Sequence, residues 1–284
     1  MNLASLANKI QKASDALQSE AEEARRAVGN QEERALAFCC RLLAIVRVAL
    51  EDSKGALPNS GWRAVIVSLL TKVVSTLRAA HTLGVAGHSR EVGILVRSAL
   101  ETFITAAFIA KEDSDRRARR WAKYAELQKA RVLRKYPDLS STPEDQKMRD
   151  EILVRAEQFE EHFPSKNFWA SGLQQGSVRD LAEEVGMGWY YDMPYWSGSQ
   201  ATHGSAIAIG SYLSVASDGN LQYKMGLSSE HLRGELAVCC DLLVRTLAVL
   251  NETCELGLDE ICGDLVPEYK AAFGDAPPRI GSAS

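Results

Sequence analysis

The sequence lacks the short motifs that mark the commonest chemistries. It has no G-x-G-x-x-G, no Walker A loop, no H-E-x-x-H and no G-x-S-x-G. The first two cradle phosphates on backbone amides at a helix start, the third holds zinc between two imidazoles, and the fourth mounts a nucleophilic serine. Dinucleotide chemistry and zinc hydrolysis are therefore not expected. None of the six cysteines has C-x-x-C spacing, and no histidine stands where a zinc site would need one. Cys39-Cys40 and Cys239-Cys240 are adjacent pairs in apolar stretches, and Cys254 and Cys262 are eight apart. They read as reduced, buried core residues. No metal and no cofactor are expected.

Charge of one sign is not in excess either. Lys and Arg number 33 against 37 Asp and Glu, for a net charge of −4. No global attraction to nucleic acid or anionic lipid follows, so any polyanion binding must be local. No run of about 18 clearly apolar residues is evident, so no membrane span is expected. The uncharged run 193–217 is too rich in Ser, Gly, Gln, Thr and Pro to cross a bilayer. The first 26 residues have no apolar segment of signal-peptide type, and a soluble, cytoplasmic protein is expected.

What is present is helical periodicity along almost the whole chain. Leu3, Leu6, Ile10, Ala13 and Leu17 form a narrow apolar seam in an amphipathic N-terminal helix, 1–28. Apolar helices follow at 31–52, about 60–84 and about 90–112, the last with Ser89 as N-cap. A basic helix at 114–136, opened by Ser114, is followed by a very polar one at 143–162 with Pro143 near its start. A short capped helix at 177–186 leads to an aromatic-rich helix at about 192–203. Weak alternation around Asp218-Gly219 predicts a small hairpin within 212–227. An apolar helix over 229–256 and a shorter one over 258–273 close the pattern. The fold class expected is all-α, a multi-helix bundle. The expected organisation is a single helical domain over 31–275 with a polar central region 113–188, then a flexible tail at 276–284. A homo-oligomer is expected, a dimer formed through the N-terminal helix or a bundle face.

Two constellations could carry chemistry. Arg90, Arg97 and Glu101 fall seven and four residues apart, on one helical face among apolar neighbours. Either Arg97 and Glu101 form an i,i+4 pair at the core edge, or they line a pocket where Arg97 meets an anion. Tyr195, Ser199 and His203 follow in steps of four along one helix side, with Tyr191 and Trp196 close by and small residues between. Hydroxyls, aromatic rings and one titratable imidazole suit a ligand pocket, though such a histidine can also be purely structural.

"GHSREVGILVRSALETFITAAFIAKE" and "YYDMPYWSGSQATHGS" together resemble a bacterial helical family of unknown function. Its pattern is G-x(3)-E-x(5)-R-x(3)-E, then Y-x(3)-S-x(3)-H. The matching positions here are Gly87, Glu91, Arg97, Glu101, Tyr195, Ser199 and His203, over about 80–215. The resemblance carries no activity. It implies that Arg97, Glu101 and His203 meet in space.

Two further features bear on nucleic acid. Arg155 and His162 have R-x(6)-H spacing, which resembles the R-x(4–6)-H signature of HEPN ribonucleases, but their helix is acid-rich and would repel phosphate. The helix Arg116–Lys135 carries nine basic residues with Trp121 and Tyr124 interleaved. It fits a surface for RNA or a nucleotide, or equally a solvated face paired with the acidic helix after it. The leading expectation is a metal-independent enzyme acting on RNA or a nucleotide phosphate, in a toxin or phage-defence setting. His203 would move the proton, Arg97 would clamp the anion and Glu101 would orient Arg97. Tyr195, Ser199, Tyr191, Trp196 and Arg90 would contact the ligand. The rival is a non-catalytic helical sensor or scaffold binding a small molecule or partner protein in an aromatic-lined pocket.

Overall fold

A computed structural model describes residues 3–53, 61–139, 142–163, 168–173, 176–210, 212–216, 219–223 and 227–274. The expected tail at 276–284, like the side chains of the Leu3–Leu17 seam, lies outside the described part. The helices are α1 (Leu3–Ser53), α2 (Gly61–Val85), α3 (Ser89–Lys111), α4 (Ser114–Lys135), α5 (Pro143–Glu160), α6 (Val178–Glu184), α7 (Gly188–Tyr190), α8 (Trp196–Thr202), α9 (Ala206–Ile209), α10 (Leu232–Cys254) and α11 (Asp259–Phe273). Among the described residues the protein is all-α apart from one small antiparallel hairpin, β1 (Leu213–Val215) with β2 (Leu221–Tyr223), in which Val215 faces Leu221. The hairpin falls inside the expected 212–227 window.

The core is built from α2, α3, α10 and the C-terminal half of α1. α1 packs on α2 and α10, α10 packs on α2 and α3, and α2 with α3 is the most extensive pairing. Leu42, Ile66, Leu70, Leu77, Leu100, Ile104, Phe108 and Leu236 are fully buried. Each such side chain contributes about 1.5–3 kcal/mol relative to exposure. The two long helices expected on either side of Gly29 run together as one, with a kink at Glu32 (φ −119°, ψ 16°). Gly61–Val85 and Ser89–Lys111 contain windows of mean hydropathy 1.3 and 1.7 and are long and apolar enough to cross a membrane by length and composition. The expectation that no such run exists is corrected at these two helices. Their scattered Ser, Thr and Arg residues hide the apolar average from a search for uninterrupted runs. Both are the paired core helices of the bundle.

The polar region forms a helical hairpin, α4 against α5, with its own small core of Leu127, Ala130, Ala156 and Phe163. Its second helix starts where sequence chemistry dictates. The Thr142 hydroxyl accepts from the Asp145 amide, the Asp145 carboxylate accepts from the Thr142 amide, and Pro143 takes the first turn. Two other expected caps are not caps. Ser89 is already the first helical residue, and its amide donates to the Ser228 carbonyl instead. Ser114 donates its hydroxyl to the Ala110 carbonyl of the preceding helix, while Asp113 makes the turn at φ 49°. All six cysteines are free, but Cys40 is exposed and Cys262 half-buried, which corrects their expected burial. Neighbours on a helix point about 100° apart, so on α1 Cys39 faces the core and Cys40 does not, whereas α10 is covered widely enough to bury both Cys239 and Cys240.

Candidate functional site

Arg97 and Glu101 sit one turn apart on α3, and α8 lies across them. The chain reaches α8 through a wide π-type turn, Tyr191–Tyr195, that contains Pro194. The helix expected over 192–203 is therefore a π turn followed by α8, which ends at Thr202. Proline supplies no amide to an i→i−4 bond, and the wider turn absorbs that gap.

The close approach of α8 to α3 brings four of the expected residues together. Arg97 Nε donates to Ser199 Oγ at 2.6 Å, and Arg97 Nη2 donates to Tyr195 Oη at 3.1 Å. Arg97 Nη2 is also 3.7 Å from Glu101 Oε2. Tyr195 Oη donates to Glu101 Oε2 at 3.4 Å. Ser199 in turn donates to the Tyr195 carbonyl at 2.8 Å, so its hydroxyl is used as both donor and acceptor. Burial, reinforced by the Glu101 charge, raises the Tyr195 phenol above its ordinary range, and Arg97 opposes the shift. Tyr195 therefore stays protonated, as a donor to Glu101 must. Tyr191 stacks on Tyr195 with ring centres 4.5 Å apart.

The remaining expected residues lie apart from this group. His203 is exposed, just beyond the end of α8, and among the described residues its side chain makes no hydrogen bond or ion pair with Arg97, Glu101 or Ser199. Trp196, the first residue of α8, is exposed. Arg90 lies over the Tyr212 ring at 5.0 Å.

The profile of a family of unknown function, DUF5677, matches residues 63–221, more than half of the chain. The chain belongs to DUF5677. Comparison with curated proteins and with solved structures gave no match. The DUF5677 segment holds both α3 and α8, with every residue of the Arg97 network.

Within the DUF5677 segment, Glu101 also faces a second environment. A cavity of about 490 Å³ opens between α2, α3, α4 and the residues Phe168, Trp169 and Val178, and Glu101 is in its wall. Trp121, Tyr124, Phe168 and Trp169 supply aromatic surface, and Lys72 supplies a cation at the exposed edge. The hydroxyl protons of Thr102 and Thr105 are donated to the Ser98 and Glu101 carbonyls, which leaves those oxygens as acceptors only. The Glu101 carboxylate and the Ser98 hydroxyl are the other polar groups of α3 in that wall.

The basic helix is largely paired within the protein. Arg117 is buried between Glu112 at 2.6 Å and Glu184 at 2.9 Å, Lys129 meets Glu126, and Arg134 meets Glu157 and Glu160. Arg155 is held by Glu126 and Glu151, and no bond joins it to the exposed His162.

Sequence reasoning passed over one buried polar group outside the DUF5677 segment's own helices. Asp241 on α10 accepts from Tyr190 Oη at 2.5 Å and pairs with Arg245 at 2.6 Å, with its side chain 2% exposed. The signal available was an Asp and an Arg four apart within an apolar helix.

Proposed function

We propose that this DUF5677 protein is a non-catalytic ligand-binding module that takes a small heteroaromatic molecule of nucleotide type into the cavity beside Glu101. The observation that carries this reading is the double placement of Glu101, in the Arg97–Tyr195 network and in the wall of an aromatic-lined cavity. The volume lies within the range of about 300–1,000 Å³ typical of small-molecule sites. Flat rings stack on Trp, Tyr and Phe side chains. A carboxylate accepts from ring N–H and exocyclic amino groups, and Lys72 stands ready for an attached phosphate. Arg97 and Tyr195 hold Glu101 in place, so ligand binding and the docking of α8 share one carboxylate.

The rival reading, a metal-independent enzyme acting on RNA or a nucleotide phosphate through His203 and Arg97, draws less support. The Ser199 hydroxyl has both of its roles filled, and His203 contacts none of the polar network. RNA integrity in cells producing wild type or His203→Ala tests it directly.

Trp121 and Trp169 line the cavity, so tryptophan fluorescence reports its occupancy. Titration with guanosine, adenosine and their monophosphates should give saturable quenching by at least one of them. Glu101→Gln should weaken that binding by about tenfold or more, the loss of one charge-assisted hydrogen bond. Lys72→Ala should weaken the monophosphate and spare the nucleoside. No quenching by any of the four at millimolar concentration, or equal affinity in Glu101→Gln, overturns the reading.

A further inference from the structure

A second, smaller cleft of about 360 Å³ lies along α4 where it meets the end of α5. Arg116, Arg119, Arg120 and Lys123 repeat at helical spacing along one face, and His162 and Phe163 close it from the end of α5. The geometry points to a phosphate-binding site in this cleft, separate from the Glu101 cavity and independent of the reading given above.

The charges there do not balance. Arg116 pairs with Asp113 at 3.2 Å, and Arg119 pairs with Asp115 at 2.8 Å. Both pairs are solvent-exposed, and such pairs contribute only about 0–1 kcal/mol, so either arginine can turn to another anion at little cost. Arg120 has no carboxylate among the described residues. It donates to the backbone carbonyls of Trp169 at 3.0 Å, His162 at 2.8 Å and Ser171, with its guanidinium over the Phe163 ring at 4.3 Å. Lys123 likewise has none, and its ammonium lies 4.7 Å from the centre of the Phe159 ring. Four cations thus meet two carboxylates on a chain whose net charge is −4. Burial and the neighbouring Arg116 charge both lower the pKa of Arg120, which marks the spot as crowded with positive charge.

A phosphate group answers that arrangement. It carries up to two negative charges, matching the uncompensated pair, and its several oxygens accept forked bonds from guanidinium groups. The His162 ring adds a donor beside them. The two Phe rings beneath Arg120 and Lys123 keep those cations aimed by cation–π contact. Arg120 serves as a positioning residue, since its donors are already committed to the 162–171 backbone. Arg116, Arg119 and Lys123 are the groups free to turn onto the ligand.

Isothermal titration of the full chain with sodium pyrophosphate, and separately with an oligouridylate of about ten nucleotides at low salt, tests the site. Saturable binding of pyrophosphate is expected, weakened about tenfold or more in Lys123→Glu and in Arg116→Glu. Arg116 is exposed and Lys123 half-buried, and circular dichroism confirms that the variants fold. Glu101→Gln should bind pyrophosphate like wild type, which keeps this result apart from that for the aromatic cavity. Tighter binding of the oligouridylate with the same losses assigns the phosphate to a nucleic-acid backbone; pyrophosphate binding alone assigns it to a free or small-molecule source. Absence of binding to either probe, or equal affinity in both charge-reversal variants, overturns the site.

Discussion

A β-carbon placed on Gly198 would stand 2.6 Å from the β-carbon of Arg97 and 2.8 Å from the Gly93 carbonyl oxygen. Neither neighbour is the free end of a flexible chain, so α8 rests against α3 only because position 198 has no side chain. Gly198→Ala should push α8 away and cost about 1–3 kcal/mol, the usual range for overpacking. Urea denaturation measures the loss, and limited proteolysis within 188–203 reports the undocking. Unchanged stability and unchanged proteolysis would show that the two helices do not meet as described.

The same contact makes Arg97 and Ser199 energetically dependent on each other. Ser199→Ala leaves Arg97 Nε without its 2.6 Å acceptor, which should cost about 1.5–3 kcal/mol for a bond to a charged donor. Arg97→Lys cannot reach Ser199 and Tyr195 together, because an ammonium lacks the planar fork. A double-mutant cycle should therefore give a coupling energy well above zero. Additive losses would separate the two residues.

Asp241, Tyr190 and Arg245 predict an asymmetry between breaking a buried pair and replacing it. Asp241→Ala removes the carboxylate that neutralises the Arg245 guanidinium, whose side chain is 14% exposed, and should cost about 3–5 kcal/mol. Tyr190→Phe removes one hydrogen bond to a charged acceptor and should cost about 1.5–3 kcal/mol. The double change Asp241→Leu with Arg245→Met should recover most of the loss from Asp241→Ala. Denaturant midpoints of the four proteins decide it, and a double variant no more stable than Asp241→Ala rules the account out.

These residues also show where sequence pattern stops. Arg97 and Glu101 share a face because they are four apart on a helix, and the same step links Tyr195 to Ser199. Which helix meets which is settled instead by Gly93 and Gly198, and missing side chains leave no periodic signal. His203 continues the step of four in sequence, but α8 ends at Thr202 and Gly204 turns the chain at φ 59°. The row therefore loses its last member. The aromatic cavity joins Trp121 and Tyr124 of α4 to Phe168 and Trp169 of an irregular stretch. Only tertiary packing creates that neighbourhood. The charge balance of α4 and α5 was open in the sequence, because a basic and an acidic helix can pair or can each face solvent.

Glu235 provides a pH-dependent test of the α3–α10 contact. Its carboxyl lies against Gly93, 3.1 Å from where a β-carbon at that position would stand, and no hydrogen bond or ion pair to it is present among the described residues. Burial alone pushes its pKa up to about 7 from an ordinary 4.5. Between those two values the folded chain keeps a proton on Glu235 that the unfolded chain has lost. Folding then takes up a proton, so stability falls as pH rises across the window and levels off above about 7 for this group. The total change is on the order of 3–3.5 kcal/mol, since each pKa unit corresponds to about 1.4 kcal/mol. Glu235→Gln keeps a neutral side chain of the same shape at every pH. The difference in denaturation free energy between wild type and Glu235→Gln should be small at pH 5 and should favour the variant at pH 8. Subtracting the two curves cancels the other titrating groups. A difference that stays constant between pH 5 and pH 8 would mean that Glu235 is not held in the desolvated niche opened by Gly93.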